Sequence, residues 1–530
     1  MNRLIKKATQ SMSVSGAATL LISISLAGQV LGFLRVKLVN ANFPSTGPGS
    51  TDAFFAAFKI PDFFFVTIAA GALGVAFIPF LADKLEKGDR KGAWKITTSL
   101  LNLLWVLTFL VGLAIFVFAE PLVSKLVAPG LTPEQLNNAV LIMRLIALNP
   151  LFFTIAGILM SVQQTVGRFF FYAIAPLFYN LAIIISIFVF RNNIGIVGLG
   201  IGAAVGALLQ LIVAIIGMWG TQFRYSTMIA WHDKAFKGIL RQLPARSVDQ
   251  GIDAINSIVE TNFAARLGEG RISYYENAYV IHTTPILLIG TGIATAAFPK
   301  LSERLSQHRP DLFRKEFIQV LRAMIWISMP VILVSYFARG YLARIIFTQD
   351  APQIALILGF LCGAIFFRII YQIISRYFYA HKDSWTPLFV SIFTIALNIY
   401  LAWTLTRNST YNVAGLALAQ TLAAMFEVVV LTTIIVIKDR KLFTLDFLGD
   451  LTRILSATGF AIVATFLMVG FFPLNVGDRG FITLGTKLAA ISAVTFGVYL
   501  LISWIFGIEE AKPVVKRIKH VILRPIRINW

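Results

Sequence analysis

The chain has 530 residues, of which 57% are hydrophobic and 13% charged, and its mean hydropathy is +0.78. A soluble domain carries about 25% charged residues, so too little polar surface is left to coat a water-soluble globule, and the hydrophobicity is far too high for disorder. One cysteine, Cys362, excludes an intrachain disulfide and any multi-cysteine metal or iron–sulfur site. The composition is that of an all-α polytopic membrane protein. The 46 Lys+Arg against 25 Asp+Glu leave a net charge of +21, which fits either a nucleic-acid surface or basic loops at one membrane face.

A helical span needs about 20 mostly apolar residues. In chain order the candidates fall near 16–42, 52–82, 96–119, 136–164, 168–190, 194–219 and 240–266. They continue near 272–299, 315–338, 352–379, 384–406, 411–437, 451–473 and 481–507, fourteen in all. The N-terminal Arg3, Lys6 and Lys7 precede a long apolar run without a clean small-residue cleavage site, so the first span is expected to be retained. Alternate loops carry 32 and 9 basic residues on their two sides. That asymmetry decides for topology over nucleic acid and puts both termini in the cytoplasm. The seventh span, LPARSVDQGIDAINSIVETNFAARL over 243–267, is too polar for a hydropathy window. It is expected to cross because otherwise every later basic loop would face outward. A polar helix crosses only where its polar face meets protein or water.

Segments 50–77 and 271–298 align at a constant offset of 221. Ala57 meets Ala278, Ile60 meets Ile281, Gly71 meets Gly292, and Ala76-Phe77 meets Ala297-Phe298. Pro79 and Pro299 follow, then a charged loop. The offset covers six spans, so the second copy starts in the same orientation as the first. That is a parallel repeat about an axis along the membrane normal. The expected organisation is two six-helix lobes, 1–220 and 221–440, followed by two additional helices and a basic tail over 441–530.

No catalytic constellation stands out. The five histidines have no HExxH spacing and there is no Walker A motif, so the chain is read as a non-enzyme without a cofactor. Polar residues inside spans carry more information, because each costs a few kcal/mol unless it faces a cavity or a partner. The first span carries Arg35 and Lys37, which either snorkel to the outer headgroups or line a cavity. The second carries Asp52, Lys59 and Asp62, with Asp52 and Lys59 on one face as an ion-pair stripe or part of a site. In the seventh, Asp249, Asp253, Asn256 and Glu260 share an arc of about 60°. That arc is either a solvated surface or, as we prefer, a cavity lining open to a cation, since hard cations favour carboxylate and carbonyl oxygens.

The stretches GQVLGFLRVKLVNANF, STDAFFAAFKIP and AAGALGVAFIPFLADK, with FAARLGEGRIS and IATAAFPKLSERL in the second half, resemble the MurJ/MviN lipid II flippase family. That family lies in the multidrug/oligosaccharidyl-lipid/polysaccharide exporter superfamily. The resemblance implies a two-lobed transporter of the bacterial cytoplasmic membrane with a central cationic cavity, working as a monomer. Its substrate would be a polyprenyl-pyrophosphate-linked peptidoglycan precursor, flipped by alternating access. By the family's motifs Arg35, Lys59, Asp52 and Lys37 would meet the substrate. A sodium or proton coupling site would use Glu260, Asn398 and Gln420. The chain departs from the pattern at Gln29, Phe65, Val66, Ala70 and Val280, where the family carries arginines or a glutamate. A second reading is therefore an exporter of another lipid-linked polysaccharide or of cationic small molecules, for which an acidic seventh span would suit a drug cation. A non-transporting membrane scaffold would also explain the lost arginines.

Overall fold

The computed structural model describes residues 14–70, 77–347, 349–407 and 410–523. The basic termini (Arg3, Lys6, Lys7, Arg524 and Arg527), Gly71 and Ala76 of the repeat, and the side chains of Ala70, Arg246 and Asp249 lie outside the described set. Among the described residues the chain is helical with no strand, and it divides into two compact units, Met1–Ser273 and Tyr274–Trp530.

In the first unit, α1 (Val14–Asn42) leads to α2 (Thr51–Phe65), whose last turns widen into a π-helical segment, Val66–Ala70. Then come α3 (Ile78–Glu86), α4 (Arg90–Pro121) with a π segment at Leu122–Val127, α5 (Pro133–Leu145) and α6 (Asn149–Thr165). The unit closes with α7 (Phe169–Phe190), α8 (Val197–Gly217) and α9 (Lys234–Arg266). Local chemistry sets the starts of these helices. Asp89 accepts from Gly92 N at 2.8 Å to begin α4. Thr132 and Gln135 form a reciprocal capping box behind Pro133 for α5. Asp233 accepts from the N–H groups of Ala235 and Phe236 to begin α9.

The apolar core of this unit gathers Phe77, Leu81, Trp94, Leu100, Ile158 and Phe236, from just before α3 to the start of α9. The opposite face of α4 exposes Trp105, Phe109, Leu113 and Phe116, which is the lipid-facing side of a membrane helix. Helix association in lipid depends on close backbone approach through small residues. On α8, a β-carbon at Gly202 would lie 2.2 Å from Ser186 Oγ of α7, and one at Gly206 would lie 3.0 Å from the Tyr179 backbone.

The second unit runs through α10 (Arg271–Pro285), a π segment Ile286–Thr291, α11 (Gly292–Ser306), α12 (Pro310–Phe337) and the short α13 (Arg339–Ile346). It continues with α14 (Ala351–Ala380), α15 (Trp385–Thr406), α16 (Ala414–Lys438), α17 (Leu445–Phe471), α18 (Phe481–Ile505) and α19 (Ala511–Leu523). The expected C-terminal pair is α17 and α18. They pair with each other through Thr465 and Thr495 at 2.8 Å and dock on α12, where Trp326 Nε1 donates to Ser503 Oγ at 3.0 Å. The π segments of α2 and α10 overlap at the repeat offset of 221 residues, so the two copies share a local defect as well as apolar spacing. Such π turns recur at functional sites.

Twelve described helices are long and apolar enough to cross a membrane, against the fourteen expected. The second expected span is interrupted by residues outside the described set. The seventh, α9, runs 33 residues, ample length, but its polar residues keep it out of the apolar set. Expected at the head of the second lobe, α9 packs on α2, α4 and the two π segments of the first unit, and the unit boundary follows it.

Candidate functional site

Asp52 is 1% exposed and its carboxylate is fully engaged. Oδ2 accepts from Gly270 N at 2.6 Å, and Oδ1 accepts from Ser273 N at 2.7 Å and Ser273 Oγ at 2.6 Å. Thr51 and Ser273 hydroxyls meet at 2.7 Å. Asp52 thus caps the start of α10, where exposed N–H groups and the helix dipole favour an anion. Ser273 is the residue that the repeat offset pairs with Asp52, so equivalent positions of the two copies bind one another. The loop before α2 is held in turn by Gln135, whose Nε2 donates to Gly47 O and Ser50 Oγ at 3.1 and 3.0 Å. Asp52, expected as a substrate contact, has both carboxylate oxygens engaged by Gly270 and Ser273.

Two turns further along α2, Lys59 Nζ donates to Ser257 Oγ of α9 at 2.7 Å. One turn beyond Ser257, Glu260 is 4% exposed and accepts from Asn256 Nδ2 at 3.0 Å. The expected polar arc of α9 therefore divides. Asn256 and Glu260 are buried, Asp253 is exposed, and the side chain of Asp249 lies outside the described residues. Buried polar groups persist only when hydrogen-bonded, which is the arrangement at Asn256 and Glu260, and the half-buried Lys59 is bonded as well.

Arg35 and Lys37 are half-buried on α1. The Arg35 guanidinium lies over the Tyr179 ring of α7, 5.9 Å from its centroid. Tyr179 packs edge-on against Phe153 at 5.1 Å, and Phe153 against Phe65 at 5.3 Å. The close approach at Gly206 fixes the backbone of Tyr179. Phe65 is one of the positions where the resemblance expects arginine. The structure puts there the end of an aromatic row that leads to Arg35 and offers it a π face.

In the second unit Asn398 on α15 and Gln420 on α16 are both buried. A further polar cluster there was not anticipated from the sequence. Arg368 of α14 donates to Glu427 Oε2 of α16 at 3.0 Å, Ser391 Oγ of α15 donates to Glu427 Oε1 at 2.7 Å, and Tyr371 lies 3.3 Å from Ser391. The available signal was one acid inside an apolar span, Glu427, facing one base inside another, Arg368. Single intramembrane charges of opposite sign predict each other. Among the described residues no group of three or more His, Cys, Asp or Glu side chains is arranged to hold a metal.

The family model described as "Lipid II flippase MurJ" matches residues 48–483. A relative named "Probable lipid II flippase MurJ" from Borreliella burgdorferi is 24% identical over 474 residues, covering 87% of this chain and 91% of the relative. One of the same name from Thermotoga maritima is 24% identical over 503 residues, covering 93% and 96%. Among solved structures, a lipid II flippase MurJ in an inward closed conformation superposes with a TM-score of 0.76 at 22% identity, covering 92% of this chain and 98% of that one. An inward-facing multidrug resistance MATE family transporter of the MOP superfamily reaches 0.65 at 14% identity, covering 79% and 98%. These structural likenesses concern the fold.

Proposed function

The chain belongs to the lipid II flippase MurJ family, and from that premise we propose how its own residues serve the activity. The protein is a multi-pass membrane transporter that flips a lipid-linked peptidoglycan precursor by alternating access. The observation that carries this reading is the family model spanning residues 48–483. The family match disfavours the alternative exporter of cationic small molecules, and the MATE likeness is weaker in both TM-score and coverage.

A diphosphate–sugar headgroup is anionic and cannot enter hydrocarbon without cations and hydrogen-bond donors along its path. With Gln29, Phe65, Val66 and Val280 in place of the family's arginines, the burden falls on fewer groups. Arg35 is the principal headgroup contact in this proposal, supported by Lys59 and Lys37. The π face of Tyr179 holds the guanidinium without neutralising it, which leaves its charge for an anion. Glu260 is proposed as the coupling group for sodium or protons. Its support is burial of a carboxylate in a spanning helix beside an amide donor. Both termini are placed in the cytoplasm on the charge asymmetry of the loops.

The test is complementation of a strain depleted of its essential flippase. The wild-type chain is expected to restore growth. Arg35→Ala should fail while inserting normally, and Arg35→Lys should retain part of the activity because lysine lacks the bidentate fork. Wild-type protein that inserts but gives no rescue would move the substrate to another lipid-linked glycan. Full rescue by Arg35→Ala would remove Arg35 from the headgroup path.

A further inference from the structure

We propose that the start of α4 and the 221–233 segment form a binding site for the headgroup of an anionic phospholipid, separate from the transported substrate. Between them lies a cavity of about 470 Å³ whose lining includes Lys91, Lys95, Arg224, Trp94, Met228 and Trp231. The three basic side chains are exposed and make no ion pair among the described residues. Asp233, the acid of the cavity wall, accepts from the N–H groups that begin α9. The cavity lining therefore sets three basic side chains against one carboxylate, and that carboxylate is engaged at the start of α9.

The site is built rather than draped. Asn102 Nδ2 donates to Ser226 O at 2.8 Å, Tyr225 Oη donates to Asn102 Oδ1 at 2.7 Å, and Ala230 N donates to Ser99 Oγ at 2.9 Å. Arg90 Nη1 donates to Gln222 Oε1 at 2.6 Å, and Trp94 packs edge-on against Phe223 at 5.5 Å. These contacts lock an irregular segment onto the first turns of a membrane-crossing helix.

The occupant is a lipid rather than a soluble anion because the same segment is amphipathic. Tyr225, Met228 and Trp231 are exposed on it, and Trp219 just before it is 71% exposed. Trp and Tyr settle at the headgroup level of a bilayer, and Lys and Arg clusters at helix ends attract anionic lipids. A phosphate held between Lys91, Lys95 and Arg224 would leave its acyl chains beside these apolar side chains.

The experiment titrates the purified full chain in detergent micelles with brominated phosphatidylglycerol or brominated phosphatidylcholine. The readout is the quenched fluorescence component that disappears in Trp231→Phe. Phosphatidylglycerol is expected to act at about one fifth of the phosphatidylcholine concentration or lower. Each basic residue near an anionic lipid surface is worth about fivefold, so Lys91→Gln, Lys95→Gln and Arg224→Gln combined should abolish the preference. The combined variant should keep the wild-type melting temperature, since all three side chains are exposed. Equal quenching by the two lipids overturns the proposal, as does a preference that survives in the combined variant. Displacement of phosphatidylglycerol by millimolar inorganic phosphate overturns the lipid assignment and makes the cavity a site for a free anion.

Discussion

At the start of α4, Lys91, Lys95 and Arg224 surround a cavity without an ion pair among the described residues. The repeat offset matches that helix start to the start of α12, and there the same residue types are paired. Arg314 Nε meets Asp439 at 2.7 Å, Lys438 Nζ meets Asp383 at 2.8 Å, and Lys300 and Arg304 share Glu316 at 3.1 and 3.0 Å. Arg322 engages Asp450, Glu510 and, at 2.7 Å, Glu509. A cavity of about 340 Å³ at this end is lined by two bases and two acids, Arg314 and Lys438 with Asp383 and Asp439. Two ends of a repeated fold, both basic by composition, thus differ in what their charge does. In the second unit it ties α12, α14, α15 and α16 together and joins α12 to α17. In the first, Lys84 and Lys87 pair with Asp89 and Asp83 around the turn before α4, and Lys91, Lys95 and Arg224 make no ion pair among the described residues.

The comparison breaks most visibly at Arg322, whose side chain is 13% exposed. Arg322→Ala leaves Glu510, 10% exposed, and Asp450 without this partner. Removing one member of a partly buried, hydrogen-bonded ion cluster costs about 2 kcal/mol. Thermal unfolding of the purified protein should show this loss, and an unchanged melting temperature would mean the cluster carries no structural weight.

A smaller effect is expected at Asp383, in the turn between α14 and α15. Burial pushes its carboxyl up, but the Lys438 ammonium and the Thr386 N–H and hydroxyl outweigh burial and hold it at about 2. A carboxylate depressed below its ordinary value of 3.8 contributes stability that is complete above about pH 4 and lost as pH falls toward about 2. After discounting for solvent screening, the contribution is about 1 kcal/mol. Melting temperatures measured from pH 6 down to pH 2 should fall less steeply in Asp383→Asn than in the wild type. Parallel profiles would mean that the Asp383–Lys438 pair adds no stability.

The smallest effect belongs to the first unit. Lys91→Gln, Lys95→Gln and Arg224→Gln together should change stability by no more than about 0.5 kcal/mol, because no partner is lost. A larger destabilisation, read in the same unfolding assay, would show that this end too is held by charge and would erase the contrast.

Much of the site was legible in order but not in partnership. The sequence singled out Asp52 for lying in a motif inside a span, and the structure keeps it buried. Its acceptor role for Gly270 and Ser273 depends on a contact across 221 residues of chain, which no local pattern encodes. The arc of α9 was visible at 100° per residue. That Asn256 and Glu260 are buried while Asp253, on the same arc, is exposed depends on where along its length α9 is covered by its neighbours, a packing outcome. Glu427 and Arg368 lie 59 residues apart in the chain, and the packing of α14 on α16 brings them to 3.0 Å.

The sequence by itself determined the membrane class, the helical period of each apolar span and the family. Those properties follow from composition and from local spacing, because a bilayer admits only segments that satisfy their own backbone hydrogen bonds. Only the tertiary structure decided which charges are balanced. Ion pairing depends on a few ångströms between side chains on different helices, and composition is blind to that distance. Lys91 and Arg314 each belong to an Arg-Lys pair near a helix start, and only the fold shows that Arg314 has Asp439 beside it.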